Sequence, residues 1–75
     1  MQVWYVELKG PEATRILERW LEQLPGQAGF QGAELLVSPG QPGLALIASR
    51  WESAAPRMGV PEEAKHWTFE VVARR

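Results

Sequence analysis

A chain of 75 residues without any cysteine has few ways to build a stable fold. A domain of this size removes only about 60% of its unfolded surface from water when it folds, so its core is marginal. Small domains usually compensate with disulfides, a bound metal ion or association between chains. A lone histidine, His66, makes no metal site by itself, and none is expected. The sequence therefore predicts one domain over residues 1–75 that works as a homodimer or as a larger assembly of dimers.

The charge balance argues against nucleic-acid and membrane partners. The formal net charge is -1 and the isoelectric point is about 5.8, whereas a phosphate-binding domain carries a basic excess on one face. The only basic cluster is Arg74 and Arg75. No window approaches the roughly 20 apolar residues of a membrane span, and no charged start precedes a long apolar segment. We expect a cytoplasmic protein.

The clearest periodic pattern is helical. Pro11 suits the first position of a helix because its missing N–H has no intrahelical partner there, and Pro25 followed by Gly26 cannot continue the ladder. Between these two prolines, apolar residues recur at helical spacing, while charged residues occupy the opposite face. The sequence predicts one well-formed helix whose apolar face consists of Ala13, Ile16, Leu17, Trp20, Leu21 and Leu24.

Four segments alternate as strands do, over residues 3–9, 30–37, 44–51 and 66–74. The second contains Gly32, which suggests a bulge or a close backbone approach. The third is apolar on both sides over most of its length, as in a strand covered on both faces. Between the last two strands, Pro56, Gly59 and Pro61 leave room for at most a short helical turn at 61–64.

This order of elements predicts an α+β fold, the ferredoxin-like β-α-β-β-(short α)-β scheme with a four-stranded antiparallel sheet. Helices in that scheme cover one face of the sheet. The other face is apolar here, and soluble monomers rarely expose such a surface. We therefore expect two sheets to pair face to face as a dimeric α+β barrel.

Two segments carry a resemblance to a known family. Residues 29–36, GFQGAELL, and 46–53, LIASRWES, resemble the antibiotic biosynthesis monooxygenase-like domains of the dimeric α+β barrel superfamily, which have a similar second strand and a similar end to the third. That superfamily includes cofactor-free oxygenases, haem degraders, small-molecule isomerases and many members without assigned function. Its members usually carry a fuller second helix that helps to close the ligand cavity, and residues 54–64 are a short, broken counterpart.

The resemblance also suggests site residues. Trp51 matches a cavity tryptophan of haem-degrading relatives, which work with an asparagine that this chain lacks; the alternative is that Trp51 packs on the shortened connection. His66 is the candidate catalytic base, because its ordinary pKa near 6.5 allows proton transfer at neutral pH. The competing interpretation makes His66 a surface or rim residue at the start of a strand.

Aromatic and charged residues provide the remaining candidates. Tyr5 and Trp67, together with Trp4, could form a wall for a planar ligand, or they could supply buried area to the core and dimer interface. Arg50 is a candidate ligand contact and also the natural partner for a carboxylate on a strand. The acidic candidates for that structural ion pair are Glu7, Glu34 and Glu70.

Two functions follow as hypotheses. The resemblance implies a cofactor-independent monooxygenase that oxidises a small aromatic or quinol-type molecule, with no cofactor and with the substrate held between sheet and helix. The alternative is a non-catalytic dimer that binds a small ligand or a protein partner, which the reduced second helix and the lack of a matched acid and base favour.

Overall fold

The computed structural model describes residues 1–75, which form one helix and four strands. The elements are β1 (Gln2–Lys9), α1 (Ala13–Leu21), β2 (Phe30–Val37), β3 (Leu44–Trp51) and β4 (Lys65–Glu70). The strand order is β2-β3-β1-β4, and every neighbouring pair is antiparallel. The predicted four-stranded antiparallel sheet is therefore confirmed, and the order is compatible with the ferredoxin-like scheme. The single helix is too short to cross a membrane.

The regular helix ends before the last residue of the predicted apolar face, Leu24. α1 ends at Leu21, and the next residues continue as a tighter turn in which the N–H of Gln23 bonds to the carbonyl of Trp20 and that of Leu24 to the carbonyl of Leu21. Such three-residue closures are common where a helix stops. Leu24 still reaches the core because this turn keeps it on the apolar side.

No second helix forms. The prediction of a short helix between the third and fourth strands was therefore wrong. Residues 52–64 run as bends, extended chain and one turn, in which the N–H of Ala64 bonds to the carbonyl of Pro61. Pro56 and Pro61 each remove a backbone donor and restrict the residue before them, so a helical ladder cannot propagate. We call residues 52–64 the connection.

Three of the four predicted strands have bounds that match within one residue, and β4 is the exception. It begins at Lys65 and ends at Glu70, four residues before the predicted end. Its only neighbour is β1, in which Gln2 pairs with Glu70, so the residues after Val71 have no strand beside them. Hydrogen bonding to a neighbour, and not the alternating pattern, decides where this strand stops.

One face of the sheet, the covered face, packs against α1. Its side chains are those at the even positions of β1 and the odd positions of β3, in agreement with the period of two. Leu17 projects from α1 into the middle of this layer and is fully buried. The ten buried apolar residues of the core are Trp4, Val6, Leu8, Ala13, Leu17, Trp20, Leu24, Ala45, Ile47 and Trp51.

The other side of the sheet, the open face, has no covering layer within the chain. The third strand was predicted to be apolar on both faces; Ile47 on the covered side is buried, whereas Leu46 on the open side is only half-buried. Tyr5 and Phe69 meet edge to face there, with ring centroids 5.7 Å apart. The open face consists of Val3, Tyr5, Glu7, Glu34, Leu36, Leu46, Ala48, Arg50, Trp67 and Phe69.

The predicted irregularity at Gly32 is a β-bulge. The pairing of β2 with β3 shifts register between Phe30 and Gly32, and Gly32 has φ 150°, a conformation that L side chains rarely adopt. A Cβ atom at this position would lie 2.5 Å from a guanidinium nitrogen of Arg50. The glycine therefore leaves room for the guanidinium group of Arg50 beside the bulge.

Candidate ligand cleft beside His66

The largest concave site is an open cleft of about 430 Å³ on the covered side of the sheet. It exists because the connection packs beside β1 but leaves β4 bare: every residue of β4 is exposed. No helix covers this strand, and the cleft lies in the space that remains beside it. The lining residues are Gln2, Trp4, Ala55, Pro56, Arg57, Met58, His66, Trp67 and Thr68.

His66 is oriented by a tryptophan on the neighbouring strand. The indole Nε1 of Trp4 donates a hydrogen bond to Nδ1 of His66 at 3.2 Å, and the two rings meet edge to face. An imidazole nitrogen that accepts a hydrogen bond carries no proton, so the proton of the neutral ring lies on Nε2. The free polar atom of His66 is therefore an N–H donor.

Buried hydrogen bonds hold the floor of the cleft in place. The Oγ of Ser49 donates to the carbonyl of Trp4 at 3.1 Å and accepts a hydrogen bond from Nε1 of Trp51 at 2.9 Å. Ser49 and Trp51 have no exposed surface, so these polar groups depend on each other for hydrogen bonding. The hydrogen bond from Ser49 therefore fixes the backbone of Trp4, the residue that donates to His66.

The wall of the cleft is tied to the sheet and the helix at two points. Nε1 of Trp20 donates to the carbonyl of Gly59 at 2.9 Å, and the backbone N–H of Ala55 donates to Oε1 of Gln2 at 3.0 Å. Gln2 also donates from Nε2 to Glu70 at 3.3 Å. These contacts position a connection that has no regular secondary structure.

An ion pair lies on the opposite side of the sheet. Arg50 donates two hydrogen bonds to the carboxylate of Glu34, at 2.9 and 3.0 Å, which is the forked geometry that guanidinium and carboxylate groups prefer. These hydrogen bonds lower the pKa of Glu34 and raise the pKa of Arg50. Glu34 is thus the acidic partner of Arg50. Glu7 and Glu70 form no ion pair with this arginine.

The candidate site residues do not converge on one place. His66 and Trp67 line the cleft, while Trp51 lies in the core, where it contacts the ring of Phe30. Tyr5 and Arg50 are on the open face with the side chain of Trp67. Trp4 and Tyr5 are neighbours on one strand and therefore point to opposite faces, so the three-membered aromatic wall is not formed.

Sequence reasoning missed several lining residues. Arg57 and Met58 belong to a segment without periodicity, where nothing indicates which way a side chain points. Gln2 and Thr68 share faces with Trp4 and His66 by strand alternation, so the parity of the two strands was a signal that could have found them. The structure brings these residues together because β1 and β4 are neighbours in the sheet.

Two comparisons bear on the family. No protein-family model matches this chain, and no curated protein matches it. The resemblance described above therefore stays a prediction. No group of three His, Asp or Glu side chains lies close enough to hold a metal ion.

Proposed function

We propose that this protein is a homodimeric binding module in which each copy holds a small aromatic molecule with an acidic oxygen in the cleft beside His66. The observation that carries the proposal is the Trp4–His66 hydrogen bond. It holds the imidazole with its Nε2–H free to donate a hydrogen bond to an acceptor on a ligand.

The composition of the cleft supports this class of ligand. Arg57 forms no ion pair, and Thr68 has a free hydroxyl, so two further donors line the site with His66. Met58 and Trp4 supply an apolar surface for a flat ring. Binding sites commonly combine an apolar lining with a few polar groups that orient the ligand.

The open face supports the homodimer. Leu36, Trp67 and Phe69 are 45%, 45% and 55% exposed on this side of the sheet. Exposed apolar side chains spread over one face of a sheet mark an interaction site, and a second copy presents an identical surface around a two-fold axis. The Arg50–Glu34 pair balances two opposite charges on the β2 side of this face. Pairing by the open faces leaves both clefts accessible, because they lie on the other side of each sheet.

The ligand proposal is tested with 2-naphthoate and its neutral analogue naphthalene-2-carboxamide. We expect the carboxylate to bind about tenfold more tightly, the effect of roughly 1.4 kcal/mol from one charge-assisted hydrogen bond. The Arg57→Ala variant should lose most of this difference, and Arg75→Ala is the matched control at an exposed arginine away from the cleft. Binding is followed by the NMR signals of the Trp4 indole N–H and the His66 ring. Equal binding of the two analogues, or no shift at these signals, would refute the proposed ligand class.

A cofactor-free oxygenase is the second candidate, because the one histidine of the chain lines the cleft. A general base must offer an unprotonated nitrogen to the substrate, yet Nδ1 is occupied by Trp4. Catalysis would therefore require the proton to move from Nε2. Oxygen consumption with a naphthoquinol, compared between the protein and His66→Ala, distinguishes the candidates: binding without consumption supports the module, and consumption that disappears in the variant supports the enzyme.

A further inference from the structure

We infer that the free edge of β4 pairs with β4 of a second copy, in antiparallel orientation about a two-fold axis at Thr68, which joins two sheets into one of eight strands. Side chains of β4 line the cleft and the open face, but the pairing bonds are formed by the outward-facing backbone groups of this strand. The inference therefore does not rest on either part of the proposed function.

The two edges of the sheet differ in how they are protected. β2 has a bulge at Gly32 and charged Glu34 in its middle, and both features discourage pairing with a further strand. β4 pairs with β1 without a register shift and contains no proline, and its charged residues are confined to its ends, at Lys65 and Glu70. An unprotected edge of this kind is a template for another strand.

The direction of the backbone groups shows which residues are available for pairing. The N–H of Val71 bonds to the carbonyl of Met1, and hydrogen-bonded pairs alternate along an antiparallel ladder. Phe69, Trp67 and Lys65 therefore direct their backbone groups to β1. The unpaired N–H and C=O groups belong to His66, Thr68 and Glu70.

One register satisfies these groups with complementary side chains. Centred on Thr68, it places His66 opposite the partner's Glu70 and Thr68 opposite the partner's Thr68, each as a hydrogen-bonded pair. Trp67 then lies opposite the partner's Phe69 at the non-hydrogen-bonded position, where side chains approach most closely. Because positions of equal parity face each other, the open faces of both copies lie on the same side.

Neighbouring registers are less favourable. A shift that centres the axis on Trp67 places Lys65 opposite the partner's Phe69, so Trp67 no longer pairs with that phenylalanine. A shift towards the other end leaves only Thr68, Phe69 and Glu70 paired within the strand. A shift by a single residue would join the open face of one copy to the covered face of the other.

Pairing in this register is compatible with the cleft. His66 and Glu70 both lean towards β1, since they are hydrogen-bonded to Trp4 and Gln2. The connection lies beside β1 and is not part of the edge. A second strand at β4 therefore extends the floor of the cleft and leaves its wall in place.

Sedimentation equilibrium of proline variants tests the inference. Thr68→Pro removes an N–H that points away from β1, so the fold should persist, as edge strands tolerate proline at such positions. We expect this variant to have half the mass of the wild-type assembly. Val72→Pro is the matched control, because residue 72 lies beyond β4 and is almost fully exposed, and its mass should not change. An unchanged mass for a folded Thr68→Pro protein would overturn the inference.

A cysteine variant tests the register itself, since the chain has no native cysteine. Thr68→Cys places two sulfurs at the axis with Cα atoms about 5.5 Å apart, within the range of a disulfide, and should give linked pairs of chains on oxidation. Ser53→Cys, at an exposed serine of the connection, should form no disulfide between chains under the same oxidation.

Pairing through the open face is tested separately by Leu46→Lys. If that variant halves the mass while Thr68→Pro does not, the edge inference fails and the open-face dimer stands. If Thr68→Pro halves the mass while Leu46→Lys does not, the edge inference is supported and the open-face dimer fails. A wild-type protein that sediments at 8.4 kDa would refute both.

Discussion

Removal of one hydroxyl group, in Ser49→Ala, should destabilise this protein more than its size suggests. The Oγ of Ser49 accepts the hydrogen bond of Trp51 Nε1 and donates to the carbonyl of Trp4. All buried side-chain polar atoms of the structure have partners. Alanine would leave the indole N–H of Trp51 without one in a site that water does not reach, because Ser49 and Trp51 are fully buried.

The expected loss is about 1–3 kcal/mol, the usual effect of leaving one buried donor unsatisfied. A domain of this size has a total stability of roughly 5–10 kcal/mol, so the change is a large fraction of it. Urea unfolding followed by far-UV circular dichroism gives the free energy directly. The protein concentration must be the same in every experiment, since association would add to the measured stability. Ser53→Ala, at an exposed serine of the connection, should change it by less than about 0.5 kcal/mol.

A double-mutant cycle isolates the Ser49–Trp51 hydrogen bond. Trp51→Phe removes the donor, so adding Ser49→Ala to that variant should cost less than it does in the wild-type protein. The cycle excludes the change in packing, because the phenylalanine is present in both arms. An equal cost of Ser49→Ala in the two backgrounds would show that the orphaned indole is not the cause, and the reasoning would be refuted.

Two further predictions concern the core and the open face. Leu17→Ala removes a fully buried side chain from the centre of the covered layer and should cost about 2–5 kcal/mol in urea unfolding, whereas Ile16→Ala, on the same helix but 38% exposed, should cost clearly less; equal costs would contradict the assigned core. Glu34→Gln tests the ion pair with Arg50. Because the pKa of Glu34 is lowered in the folded protein, its contribution to stability is complete above the unfolded pKa of about 4.3 and is lost as the pH falls through the folded pKa. The difference in urea midpoint between wild type and Glu34→Gln should therefore be present at pH 7 and absent in strong acid, and a difference that persists in acid would exclude the charge of Glu34 as its origin.

Periodicity was sufficient to find the elements and most of their bounds. The helix face from Ala13 to Leu24 and the strands 30–37 and 44–51 were readable from spacing alone, because burial on one side imposes periods of 3.6 and 2. The prolines of the connection excluded a long helix, and they also prevented the short one. The end of β4 was misjudged, since alternation continues to Arg74 while its neighbouring strand does not.

The candidate site was much less predictable. His66 was a candidate because it is the one histidine of the chain, yet its orientation depends on Trp4, which alternation alone could not place within hydrogen-bonding distance. Arg57 and Met58 carry no pattern, so only the path of the connection brings them to the cleft. Trp51 was suggested either as a ligand contact or as a residue that packs on the connection, and it is fully buried among Ser49, Phe30 and Trp4.

The amino-acid sequence determined the four strands and the one regular helix, the apolar face of that helix, and the absence of disulfides, because these depend on local spacing and on residue type. Which strands are neighbours was decided by the tertiary structure, and with it the Trp4–His66 bond, the exposed faces of β4 and the cleft. These features arise from contacts between residues far apart in the chain, such as Gln2 and Glu70, which are 68 positions apart. Contacts of that separation are established by the packing of the whole chain, and no local pattern encodes them.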